Sequence, residues 1–298
     1  MTDESVSDVA LTEVPAEKPS AAAKSGKAAK PAKAPKAPKT PKAPRWHSFE
    51  VDLWFTNLNT TEVGIYQHSR YQAKSRQFTS DMDIFAEVKK NGERTHLIGY
   101  RKELWQKQTG MDKRLVIKLF TEGGMGWKGT MDMMVGRSLQ LTLGAKGFPV
   151  TAFSINLDDH DQIIQLERSA AKWPGMPENF SFFVMKNLKD GRPSFYRLRR
   201  NWISIGDDYV LYDEFDKQVG KLNGRVLNLG GKWKVDIEPD HADPRLDMVL
   251  QLFCAMLKFN DQVRNHMENL LSAMQRKKFE PKLETQETDL YMNPRRVR

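Results

Sequence analysis

Residues 243–260, DPRLDMVLQLFCAMLKFN, decide how the rest of the chain is read. Asp243 is a good N-cap, because its carboxylate can accept from the free N–H groups of a first helical turn. Pro244 follows at the first helical position, where a missing N–H costs nothing. At about 100° per residue, Asp247, Gln251 and Lys258 fall on one narrow stripe. Leu246, Leu250, Phe253, Cys254 and Leu257, with Met248, Val249, Leu252, Ala255 and Met256, cover nearly everything else. A helix that is apolar almost all round must be enclosed, either by a membrane or by protein. The solid apolar run is about a dozen residues, against roughly 20 needed to cross a bilayer. The reading is therefore a core helix over 244–257, wrapped by what precedes it, and no transmembrane span.

What precedes it reads as β. Phe49, Val51, Leu53 and Phe55 alternate with polar or Trp positions, as in a half-buried strand. Residues 82–88 and 95–100 flank Asn91-Gly92, the signature of a hairpin with a type I′ turn. Further strands are expected over 115–120, 139–143, 150–157 and 163–166, with a flexible Gly-rich loop, EGGMGWKGT, over 122–130. A second hairpin is expected around Asp190-Gly191, between 180–185 and 195–198. Strands over 202–205, 209–212, 218–222, 226–229 and 233–237 follow, with Asn223-Gly224 and Gly230-Gly231 as tight turns. A dozen or more short strands at this spacing predict a sandwich or barrel.

Past the core helix the pattern changes. Val263, Met267, Leu270, Leu271 and Met274 share one stripe with charge elsewhere, which predicts an amphipathic surface helix. Residues 279–298 read as a polar C-terminal tail ending in Arg295, Arg296 and Arg298.

The chain has 298 residues and a net charge of +9. Residues 1–17 hold five acids and no base, and residues 18–45 hold eight Lys and one Arg and no acid. Residues 46–298 are thus only mildly basic. The Lys-Ala-Pro repeats of 30–44 block helix and ladder and offer nothing to a core, so 1–45 is expected to be a disordered tail. It serves either as a solubilising spacer or as an electrostatic arm for anionic lipid or nucleic acid. The single Cys254 excludes an intrachain disulfide and suggests a reducing compartment. With no apolar signal region near the start, a cytoplasmic location is expected, with peripheral contact at the inner membrane face open.

Residues 203–260 together resemble the C-terminal portion of the superfamily that unites tubby C-terminal domains, phospholipid scramblases and plant LURP-one-related proteins. The matching features are a strand ending in Tyr212-Asp213, then Val219-Gly220-Lys221, a Gly224-Arg225 strand and Lys232-Trp233-Lys234-Val235. Asp243-Pro244 then opens the hydrophobic helix. The resemblance implies a mainly β fold, a closed antiparallel barrel of about twelve strands threaded by that helix. It reaches 46–200 only in strand content, so an extra β-subdomain before about 160 is possible, within a domain spanning 46–278. The acidic groups Asp158, Asp159 and Asp161, and Asp207, Asp208, Asp213, Glu214 and Asp216, lack EF-hand spacing and read as turn residues.

No catalytic pattern emerges. The six histidines show no HExxH spacing, and one cysteine is too few for a Cys-rich zinc site. Neither a P-loop nor a nucleophile elbow occurs. No cofactor is implied. The positive signal is basic and aromatic. Arg197 and Arg199 share one strand face, with Arg200 beside Trp202. Lys232 and Lys234 flank Trp233, Lys221 lies on the strand over 218–222, and Arg225 follows the Asn223-Gly224 turn. These are either the solvated outer face of a barrel or a patch for phosphate-bearing headgroups, which suit the planar Arg fork. Three functions follow as expectations: a scramblase-like barrel on anionic phospholipid surfaces, a nucleic-acid binder through the tail, or a scaffold that takes a protein partner or a second copy through 263–274.

Overall fold

The structure is a computed structural model. It describes residues 46–53, 82–123, 126–169, 178–185, 193–201, 208–225, 231–283 and 287–288. The chain divides into two units, 1–42 and 43–298. The expected N-terminal tail, the strands over 202–205 and 226–229, the turn at 190–191 and the three terminal arginines lie outside the described residues.

The second unit is built on twelve strands: β1 (His47–Leu53), β2 (Met82–Lys90), β3 (Glu93–Arg101), β4 (Val116–Thr121), β5 (Trp127–Met133), β6 (Ala152–Leu157), β7 (His160–Arg168), β8 (Asn179–Met185), β9 (Pro193–Arg200), β10 (Tyr209–Tyr212), β11 (Gln218–Arg225) and β12 (Lys232–Ile237). Each pairs antiparallel with its neighbour in sequence, and β12 returns to β1, so the sheet closes on itself as a barrel. Closure leaves none of these twelve strands with a free edge. The strands before 160 are part of this same barrel.

Local chemistry explains the joins. Asn91 and Gly92 hold φ of 54° and 87°, the pair of left-handed residues that a type I′ hairpin requires. Along β1, Phe49, Val51 and Leu53 are buried, and along β12 Trp233, Val235 and Ile237 are buried. A period of two thus places Lys232, Lys234 and Asp236 on the outside.

Three expectations need correction. Residues 139–143 are not a strand. They belong to helix α1 (Val135–Gly144), whose buried face is Val135, Ser138, Leu139 and Thr142 at helical spacing. Leu139, Leu141 and Leu143 also alternate, and so short an apolar run fits either period. The Gly-rich 122–130 is not all loop, because β5 starts at Trp127. Gly129 is there because a Cβ would lie 2.9 Å from Leu157 Cδ2. Nor do Asn223-Gly224 make a turn: β11 runs through them, and Gly224 lets the Trp233 indole approach to 3.2 Å of where a Cβ would stand.

Helix α2 (Pro244–Leu257) follows the sequence reading closely. The Asp243 carboxylate accepts from the Arg245 N–H at 2.8 Å, and Pro244 occupies the first position. Leu246, Leu250, Phe253 and Cys254 are fully buried, and Leu257 is partly buried at the C-terminal end. The helix packs against β1, β4, β5 and β6. Phe253 stacks edge-on with Phe180 of β8 (5.1 Å) and Tyr209 of β10 (5.2 Å).

Helix α3 (Asn260–Gln275) packs on α1 and buries Val263, Met267, Leu270 and Leu271. Most of the apolar stripe that the expected docking of a protein partner or second copy through 263–274 draws on is thus covered within this chain. The C-terminal segment also contributes. Glu287 is buried, and its carboxylate accepts from the Gly136 and Arg137 N–H groups at 2.9 and 3.0 Å, which caps α1.

Candidate functional site

Of the basic residues picked out in the sequence, Arg197, Arg199, Lys221, Lys232 and Lys234 fall on the outer face of β9 to β12, next to β1. Register fixes their order. Arg199 of β9 is opposite Val210 of β10, which is opposite Lys221 of β11, then Asp236 of β12 and Ser48 of β1. One row over, Asn223 is opposite Lys234, which is opposite Glu50. In the next row Arg225 is opposite Lys232, which is opposite Asp52.

The charges are mixed. Lys232 Nζ lies 2.6 Å from Glu50, and Lys234 Nζ lies 3.3 Å from Asp236. Asp236 also accepts from the Ser48 hydroxyl at 2.5 Å. Arg197 Nη2 lies 2.9 Å from Asp216, and the Arg199 guanidinium lies over the Tyr212 ring at 5.1 Å. Arg200 is exposed at the end of β9, opposite Tyr209. Lys221 is exposed and has no ion-pair partner among the described residues. Burial raises the Asp52 carboxyl, with Lys89 pulling it back.

The structure thus brings Lys221 and Lys234 together. With Trp46, Ser48, Asn223 and Asp236 they line an open groove of about 500 Å³ across β11, β12 and β1. Trp46 is 44% exposed there. Arg199 continues the row of Lys221 across β10, whereas Arg197, Lys232 and Lys234 hold acids of their own. The groove offers ammonium and indole N–H donors beside an apolar ring, which suits a phosphate oxygen at a water–lipid boundary.

Elsewhere, burial pushes the Cys254 thiol up, so it stays protonated in its apolar surroundings. Among the described residues no three His, Cys, Asp or Glu side chains cluster so as to hold a metal ion. No described helix is long and apolar enough to cross a membrane.

Sequence reasoning missed a second concavity, beside the N-terminal half of α2. Val88 and Lys90, Thr95 and His96, Lys128, Asp159, Asp247 and Gln251 meet there. A signal did exist: polar Asp247 and Gln251, one turn apart on an enclosed helix, must face something polar.

Comparison of the chain with protein-family models, with curated proteins and with solved structures finds no match in any of the three.

Proposed function

We propose that the protein is a non-catalytic, tubby- and scramblase-like barrel whose central helix α2 fills the lumen, and that it binds anionic phospholipid surfaces peripherally. The observation that carries this reading is the groove where Lys221 and Lys234 meet beside the half-exposed Trp46. Trp favours the headgroup region of a bilayer, with its ring among acyl carbons and its N–H in water. Cations near an anionic leaflet contribute about 1 kcal/mol each. The nine bases of 18–45 precede Trp46 in the sequence and add to the chain's positive charge.

The closed antiparallel barrel is the architecture that the superfamily resemblance implies, and it supports the reading at the level of fold. Function has to come from the site. Salt pairing inside the face argues for a weak local contact that gains strength from the tail.

The test is flotation of the full-length protein with neutral phosphatidylcholine vesicles and with vesicles carrying about 30% phosphatidylserine. Binding is expected to the charged vesicles alone and is expected to vanish between about 50 and 500 mM salt. Substituting Lys221→Ala with Lys234→Ala is expected to weaken it about thirtyfold, from two cations at about 1 kcal/mol each. Equal binding to both vesicle types, or none, overturns the reading.

A further inference from the structure

We propose that the cavity at the N-terminal end of α2 binds a small zwitterion of amino-acid size, with its ammonium group at Asp247 and Gln251 and its carboxylate at Lys90. This rests on a different part of the barrel from the groove and stands apart from membrane binding.

The cavity holds about 330 Å³ and is walled by Phe49, Val88, Pro244 and Met248, which are apolar surfaces suited to an aliphatic side chain. Two acceptors lie on its helical side. Gln251 is only 4% exposed, and its Oε1 has no hydrogen-bond donor among the described residues. Asp247 precedes it by one turn. Its Oδ2 is 2.6 Å from His47 Nε2, while its Oδ1 has no donor either. Buried acceptors left without a donor are costly, so two of them on one stripe of an enclosed helix call for an N–H-rich group. Burial raises the Asp247 carboxyl, a strain that an adjacent ammonium relieves.

The remaining lining carries two cations, Lys90 and Lys128, and one further carboxylate, Asp159. Lys128 is held by Asp158 at 3.1 Å. Lys90 is exposed at the end of β2 and has no carboxylate within ion-pair distance among the described residues, Asp247 acting on it only at longer range. The His96 ring also faces the cavity: its Nδ1 is 3.4 Å from Thr95 Oγ1, and it lies near the Gln251 side chain. Burial and then Lys128 push the His96 ring down, so it stays neutral and does not compete as a cation.

These charges select the class of ligand. A simple anion would meet Lys90 but leave Asp247 and Gln251 without donors. A simple amine would satisfy the two acceptors and ignore Lys90. A zwitterion spans the gap between Lys90 and Asp247 and satisfies both ends, with its side chain against the apolar wall.

The experiment is calorimetric titration of the full-length protein with L-leucine, with 3-methylbutylamine, which lacks the carboxylate, and with 4-methylpentanoate, which lacks the ammonium. Leucine is expected to bind about tenfold or more tightly than either analogue, because each loses a charge-assisted contact. Lys90→Met is expected to weaken leucine about tenfold and leave the amine unchanged. Gln251→Leu is expected to weaken both. Lys90 is at an exposed strand end, so its variant keeps the test decisive if the Gln251 variant fails to fold. No binding of leucine up to about 10 mM, which leaves the acceptors to water alone, overturns the proposal. So does leucine binding no tighter than 4-methylpentanoate, or leucine affinity unchanged by Lys90→Met.

Discussion

Helices α2 and α3 are separated by two residues, yet they meet opposite surroundings. On α2 the enclosure is so complete that even Gln251, on the polar stripe, is 4% exposed. On α3 one stripe is buried while Asp261, Glu268 and Asn269 face solvent. Hydrophobic sequence thus dictates placement, and placement dictates what a polar residue must do. A charge on α3 needs no partner. A polar side chain on α2 needs one, and Asp247 finds His47 while Gln251 lies against His96 at the cavity.

The contrast predicts unequal costs for truncation. Phe253→Ala removes a fully buried ring held between Phe180 and Tyr209 and is expected to cost about 4 kcal/mol. Leu271→Ala on α3, at a site 8% exposed beside α1, is expected to cost about 2 kcal/mol, because its surroundings can collapse into the space. Urea unfolding of both variants compares them directly, and equal losses would break the contrast.

A pH dependence sharpens it next. His266 is on the buried side of α3, and its Nε2–H donates to the Lys113 carbonyl at 3.0 Å. Burial, with Lys113 adding repulsion, pushes the ring down from 6.5 to about 4. The unfolded chain therefore takes up this proton as pH falls through 6.5, and the folded chain only near pH 4. In that window the unfolded state binds more protons, so stability falls with falling pH, by up to about 3 kcal/mol from this group. Denaturation midpoints between pH 7 and pH 4 should show the slope, and His266→Gln should flatten it. An unchanged slope in that variant would place the titration elsewhere.

Much of the barrel was legible because its signals are local. Period-two burial gave β1 and β12, and Asn91-Gly92 gave a hairpin. The all-round apolarity of 244–257 gave α2 to the residue. The errors came where local pattern and tertiary demand part. Leu139 to Leu143 alternate like a strand, but Ser138 and Thr142 bond the backbone of 134 and 150 from a helix. Gly129 and Gly224 read as breakers, but inside strands they make room for Leu157 and Trp233. The site was less legible. Sequence located the basic residues but could not show that Asp216, Glu50 and Asp236 pair with Arg197, Lys232 and Lys234, since cross-strand neighbours depend on closure. The α2 cavity draws on β1, β2, β3, β5 and the turn after β6, which no single stretch contains.

The smallest expected effect concerns how the two helices begin. Asp243 caps α2 through its side chain, whereas the position before α3 is Phe259, which makes no side-chain cap and is anchored by its ring against Phe85 (5.4 Å) and Tyr100 (5.0 Å). Asp243→Ala leaves the Arg245 N–H without its acceptor and is expected to cost about 1 kcal/mol, with Asp243→Ser restoring most of it. The cost is small because α2 is held chiefly by its apolar enclosure and by Arg245, whose guanidinium donates to the Met185 carbonyl at 2.7 Å. Equilibrium unfolding resolves the difference between Ala and Ser at 243. A loss near that of Phe253→Ala would mean that the cap sets the position of the whole helix, and burial would then follow from the helix start rather than direct it.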